Sequence, residues 1–162
     1  MFDHIIDESI DIVATPAQVW SRLTDFESYR QWNPFIVEVR GELEEGRRLT
    51  VTLNPDGLPV MVRPRVMAVR PRRELRWRGT LGLPSILDGE HAFLIEPLGP
   101  ERVRFTQREC FSGLLVPGAM ALIGERTVEG FRAMNEALRQ RAEAAHARAA
   151  SARAEAQRPA EP

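Results

Sequence analysis

VRFTQRECFSGLLVPGAMALIGERTVEGFRAMNEAL, residues 103–138, changes its hydrophobic period part-way along. Up to Phe111 the period is two. Val103, Phe105, Gln107, Glu109 and Phe111 share one side of a strand, and Arg102, Arg104, Thr106, Arg108 and Cys110 share the other. From Pro117 to about Arg141, Met120, Ile123, Thr127, Phe131, Met134 and Leu138 recur at three- and four-residue steps, which makes an amphipathic helix. The arginine-lined side of the strand is the wet one, so Gln107 and Glu109 point the apolar way. A lone carboxylate in a packed core shifts its pKa or costs several kcal/mol, so the glutamate needs a partner or a space that is not solid core.

Upstream, strand follows strand. Ile10 and Ile12 alternate in ESIDIVA. Phe35, Val37 and Val39 oppose Glu38 and Arg40, and Leu49, Val51 and Leu53 follow. NPDG at Asn54–Gly57 is turn chemistry, and Pro64 interrupts a strand over Val60–Val69, as at an edge or a bulge. Leu75 and Trp77 share a side of ELRWR, and His91, Phe93 and Ile95 share a side of EHAFLIE. Between the first strand and these, TPAQ at Thr15–Gln18 is a capping box that opens a short helix, and Asp25 caps a second. The order is strand, two short helices, about six strands and one long helix. Short connections argue for an antiparallel meander, and only the last helix is long enough to cover its apolar face. The expectation is an α+β fold, a curved antiparallel sheet of about seven strands around a C-terminal helix. The domain is placed at 1–145, with the Ala/Arg/Glu-rich residues 146–162 as a mobile tail.

These elements, and especially TPAQVWSRLTDFESYRQWNPF, DGEHAFLIEPL and VRFTQRECFSGLLVPG, resemble the START/Bet v 1-like (SRPBCC) helix-grip superfamily. Within it they are most similar to the bacterial polyketide cyclase/dehydrase-like branch, over Glu8–Arg141. The resemblance implies an internal apolar cavity and a structural Trp32. It implies no single activity, since members include lipid carriers, hormone receptors, aromatases/cyclases and chaperone co-activators. Tyr29 is the only tyrosine, which departs from the tyrosine-rich pockets of ring-closing aromatases.

A chain of 162 residues with net charge −1 carries no apolar run long enough to span a bilayer, and its acidic N-terminus does not look like a secretory signal. A cytoplasmic protein is expected. One cysteine and three scattered histidines do not make a closed zinc site, and no phosphate loop or GxSxG is present, so no metal and no cofactor are expected. Lysine is absent, which excludes Schiff-base chemistry. The arginine run Arg63–Arg78 reads as solvated strand faces in a near-neutral chain, not as a nucleic-acid site. Pro64 at an edge discourages sheet extension, which points to a monomer or homodimer.

With PLGPE as the turn between the last two strands, His91 falls beside Gln107 or Glu109. Three readings stand: a satisfied polar cluster in a core, a ligand-orienting group, and an acid–base pair with His91 and Glu109 catalytic. In the ligand reading a small, largely apolar molecule contacts Trp77, His91, Phe93, Phe105, Gln107, Glu109, Met120, Ile123 and Phe131. The alternatives are a cyclase/dehydrase-type enzyme and a protein-interaction module on the sheet exterior. Gly79–Gly89, long and apolar, suits a lid, and Gly118, Gly124 and Gly130 suit a helix face that makes room. Cys110, on the outer face, is expected to be inert.

Overall fold

The structure, a computed structural model, describes residues 3–54, 57, 59–80 and 85–158. Strand β1 (His4–Ile12) leads into α1 (Pro16–Thr24), a 3-10 turn (Phe26–Ser28) and α2 (Tyr29–Trp32). Strands β2 (Ile36–Arg40), β3 (Thr50–Leu53), β4 (Val60–Val62), β5 (Arg65–Arg70), β6 (Glu74–Thr80), β7 (Asp88–Gly99) and β8 (Arg102–Ser112) follow, and α3 (Val116–Ala156) closes the chain. The capping box forms as the sequence dictates. The Thr15 side chain accepts from Gln18 N at 3.2 Å, and Gln18 Oε1 accepts from Thr15 N at 2.9 Å.

All strand pairs are antiparallel. Five strands form one sheet in the order β1-β8-β7-β6-β5, and three form a second in the order β2-β3-β4. The expected seven strands become eight because Arg63 and Pro64 divide one apolar run into β4 and β5. Proline has no N–H to give a ladder, so the run changes sheet there. The two sheets stay joined at that corner: Leu49 N donates to Pro64 O at 2.9 Å, and Arg48 bridges Arg65. The alternation expected for Phe35, Val37 and Val39 is also shifted. A bulge between Ile36 and Glu38 adds a residue, so Phe35, Ile36 and Val39 are buried and Val37 is only half-buried.

The wet side of β8 is a ladder of ion pairs with β1. Asp7 lies opposite Arg108 and Asp11 opposite Arg104, and Arg104 Nε donates to Asp11 at 2.9 Å. The two guanidiniums of Arg104 and Arg102 hold the Asp11 carboxyl below its ordinary range. The other face of the sheet meets α3 through Phe93, Phe105, Met134 and Leu138, all fully buried. Three polar contacts fix the helix. Arg132 grips Glu8 through two bonds of 3.0 Å, Asn135 Nδ2 donates to Glu8 O at 3.1 Å, and Gln107 Nε2 donates to Asn135 Oδ1 at 2.8 Å.

The helix continues beyond Arg141 to Ala156, through the segment expected as a tail. Alanine, arginine and glutamate are strong helix formers, and the extension makes contacts of its own: His146 Nδ1 lies 2.9 Å from Gln18 Oε1 and Arg153 lies 3.7 Å from Glu101.

The short helices are tied to the sheet by side chains. Trp32 Nε1 donates to Ser28 Oγ at 3.1 Å and its ring meets Tyr29 edge-on at 5.1 Å, a packing role. Buried Asn33 accepts from Phe35 N at 3.1 Å and Ile36 N at 2.8 Å, which aims Phe35 into the interior. Asn33→Ala strands two buried amides, and we expect a loss of roughly 2 kcal/mol in urea unfolding; an unchanged midpoint would refute this role.

Candidate functional site

The site starts from strand register. β7 and β8 pair so that His91 lies opposite Glu109, and β6 and β7 so that Trp77 lies opposite His91. These side chains project to the same face, between sheet and helix. His91 Nδ1 and Glu109 Oε2 are 2.6 Å apart, and the histidine is buried. The carboxylate fits because Gly89 has no side chain; a Cβ there would overlap Glu109 Oε1. The imidazole packs against Phe93, with ring centroids 4.3 Å apart, and edge-on to Phe131 at 4.9 Å. Its far nitrogen, Nε2, is enclosed and has no hydrogen-bond partner among the described residues. Buried polar atoms are rarely left so, and each one calls for a reason.

A half-open cavity of about 130 Å³ adjoins the pair. Trp77, His91, Glu109, Ile123 and Phe131 line it, five of the nine residues expected from sequence. Phe93, Phe105 and Gln107 face the same way but sit in packed core. Gln107 is fully buried and spends its amide N–H bonds on Phe131 O and Asn135, so it anchors the helix and does not border the space. Met120 borders a separate open groove with His4, Ile6 and Val128. The sequence reading missed Phe35, Val51, Leu53, Val62 and Phe111 as wall. Alternation already set Phe35, Val51, Leu53 and Phe111 in apolar strand rows, though it gave Val62 no face; the closure of the second sheet over the first, which no local pattern reports, makes them neighbours.

Of the three helix glycines, one makes room. A Cβ on Gly130 would overlap the Phe35 ring, whereas Gly118 faces open space and Gly124 meets nothing nearer than Met120 Cβ at 3.9 Å. Gly130 therefore lets Phe35 reach Phe131, with ring centroids 5.6 Å apart, and together they form the helix-side wall.

The segment read as a lid falls partly outside the described residues, at 81–84. Its end, Ser85–Leu87, is held against the entry to α3. Leu114 N donates to Ser85 O at 3.2 Å and Leu115 N to Ile86 O at 3.0 Å, with Gly113 at φ +130° bringing the backbones together. Leu87 lines the cavity. Buried Asp88 ties the other side, accepting from Thr80 Oγ1 at 2.7 Å and Ser85 N at 3.2 Å. The Thr80 hydroxyl, then Ser85 N–H and Arg78, hold its carboxyl below the ordinary range against the opposing effect of burial. A depressed pKa contributes stability above the unfolded value of about 3.9 that is lost as pH falls through the folded value. Asp88→Asn is thus expected to destabilise at pH 7, with the gap to the wild type closing below about pH 4 in unfolding curves; a gap constant across pH would contradict it.

Cys110 lies on the outer face, where burial pushes its thiol pKa up, away from the reactive thiolate.

Solved structures share this architecture. A START superfamily protein from Mycobacterium smegmatis is 23% identical, with a TM-score of 0.68 over 86% of this chain and 97% of that one. The di-domain ARO/CYC BexL of the BE-7585A biosynthetic pathway is 16% identical, with a TM-score of 0.68 over 86% of this chain and 46% of that one. Norcoclaurine synthase from Thalictrum flavum, solved with dopamine and hydroxybenzaldehyde, is 14% identical, with a TM-score of 0.65 over 85% of this chain and 84% of that one. At these identities the likeness is one of fold. No curated protein matches. The family model described as polyketide cyclase/dehydrase and lipid transport matches residues 3–143, nearly the whole span of sheet and gripping helix. The chain belongs to that family.

Proposed function

We propose that this protein binds a small, largely apolar ligand in the cavity between sheet and α3, with His91 and Glu109 orienting the ligand's polar end. One observation carries the reading: an apolar, half-open space bordered by the hydrogen-bonded His91–Glu109 pair, whose outer nitrogen has no partner among the described residues. Ligand sites are typically apolar with a few convergent polar groups, whereas a pair present only to fix strand register has no need of adjoining space. The family description, which includes lipid transport, and the fold shared with BexL agree with it. The sheet exterior, laddered with arginine–aspartate pairs, is a poor apolar docking face, which disfavours an interaction module there.

Native mass spectrometry of the full chain, purified without detergent and then extracted, tests it. A stoichiometric apolar passenger is expected, reduced in a variant whose cavity is filled by Ile123→Trp. A passenger retained equally by that variant would place the ligand elsewhere and overturn the reading.

A second reading follows from the same geometry. A carboxylate holding His91 Nδ1–H leaves Nε2 as a general base, the arrangement needed to take a proton from a carbon next to a carbonyl. In that case His91→Ala loses turnover of such a substrate by about 100-fold or more without unfolding the chain, and undiminished turnover excludes it.

A further inference from the structure

The chemistry of the ligand is written in the charges of the wall. Resting on the ligand-site reading above, we infer that the cavity selects a neutral, hydroxyl-bearing aromatic molecule and rejects carboxylic acids. Among the described residues lining the space, Glu109 is the one acidic side chain and no arginine is present. The chain has no lysine, and residues 81–84 are Leu, Gly, Leu and Pro, so nothing in that segment supplies a cation by its identity. Arg76 and Arg78 flank Trp77 in sequence, and neither lines the space: Arg76 pairs with Glu74 and Glu90, and exposed Arg78 pairs with Asp88 at 3.6 Å. An acid entering beside Glu109 would lose its hydration and meet a like charge, with no arginine or lysine among the described lining residues to offset it.

The polar end must instead satisfy His91 Nε2. That nitrogen accepts when the ring is neutral with its proton on Nδ1, and donates when the ring is charged. A hydroxyl answers in both states, because it donates and accepts; a carbonyl or an ether answers in one. The body of the ligand is set by Phe35, Trp77, Phe111 and Phe131, four aromatic side chains around one space. Aromatic rings pack on such walls in offset or edge-on geometry. The cavity, at about 130 Å³, is close to the roughly 150 Å³ apolar cavity that holds one benzene.

Calorimetric titration of the full chain with toluene, 4-methylphenol and 4-methylbenzoate at pH 7.5 separates these features. The expected order is 4-methylphenol about tenfold tighter than toluene, the worth of one buried hydrogen bond, and 4-methylbenzoate at least about tenfold weaker than toluene. His91→Phe keeps a ring and removes Nε2, so the ratio of 4-methylphenol to toluene should fall to about one. Glu109→Gln keeps an acceptor for Nδ1–H and removes the charge; 4-methylbenzoate should gain about tenfold while toluene is unchanged. If the phenylalanine variant does not fold, the glutamine variant decides. Equal binding of toluene and 4-methylphenol, or 4-methylbenzoate binding as tightly as 4-methylphenol, overturns the inference and leaves the ligand site standing. No binding of either neutral probe overturns the ligand site itself, and the inference with it.

Discussion

Gly130→Ala is expected to destabilise the protein by about 1–2 kcal/mol and to abolish ligand binding, although alanine is the better helix former. Two effects of opposite sign compete. Alanine in a helix interior gains up to about 1 kcal/mol over glycine. Against that, the new methyl overlaps three atoms of the Phe35 ring. Phe35 has little freedom to yield, because it is buried, packs edge-on to Phe131, and is aimed by the Asn33 turn. Overpacking of this kind costs about 1–3 kcal/mol, so the clash outweighs the propensity gain. The open direction for the displaced ring is the cavity it lines, hence the loss of binding. Gly124→Ala supplies the contrast: with only ordinary contact at 3.9 Å, it should stabilise by about 0.5–1 kcal/mol. Chemical denaturation of both variants measures the pair, and the same sign for both would show that Phe35 does not depend on Gly130.

Phe131→Ala should be costlier, about 3–5 kcal/mol. Phe131 is fully buried and touches both Phe35 and His91, so its loss opens the wall and removes a packing partner of the imidazole. Its backbone carbonyl accepts from Gln107, a bond the substitution leaves intact. The variant should therefore keep its helix and its sheet order while losing the shape of the site. A melting temperature within a few degrees of the wild type would mean that the helix is held by Arg132, Asn135 and Gln107 far more than by its aromatic face.

The fold was legible in the sequence where one period spans a whole element. The alternation of Val103–Phe111 and the three-and-four spacing from Met120 to Leu138 pointed to β8 and α3, because the apolar residues of the first row are buried and those of the second are buried from Phe131 to Leu138. The opposition of His91 and Glu109 was legible too, since two inward-facing rows joined by a short turn allow few registers. Proline's missing N–H announced a break at Pro64, though not that the halves would join different sheets. Other features depend on contacts distant in sequence. Gln107 alternates inward like its neighbours, and only the lateral position of α3 decides that it meets Asn135 and does not border the cavity. Gly89 reads as the closing glycine of the lid segment until β7 takes it in and Glu109, twenty residues away in sequence, is placed beside it. The bulge in β2 shifted a row of inward residues by one, a displacement that alternation cannot announce.

A crystal structure of the protein under xenon pressure tests the central claim most directly, because xenon enters apolar cavities without needing a hydrogen bond. A single xenon peak is expected beside the His91–Glu109 pair, bounded by Trp77, Ile123 and Phe131, and it should vanish in the Ile123→Trp variant. If instead those side chains close on one another and no xenon enters, the interior is solid, His91 and Glu109 are a structural pair, and the protein has no ligand site between its sheet and its helix.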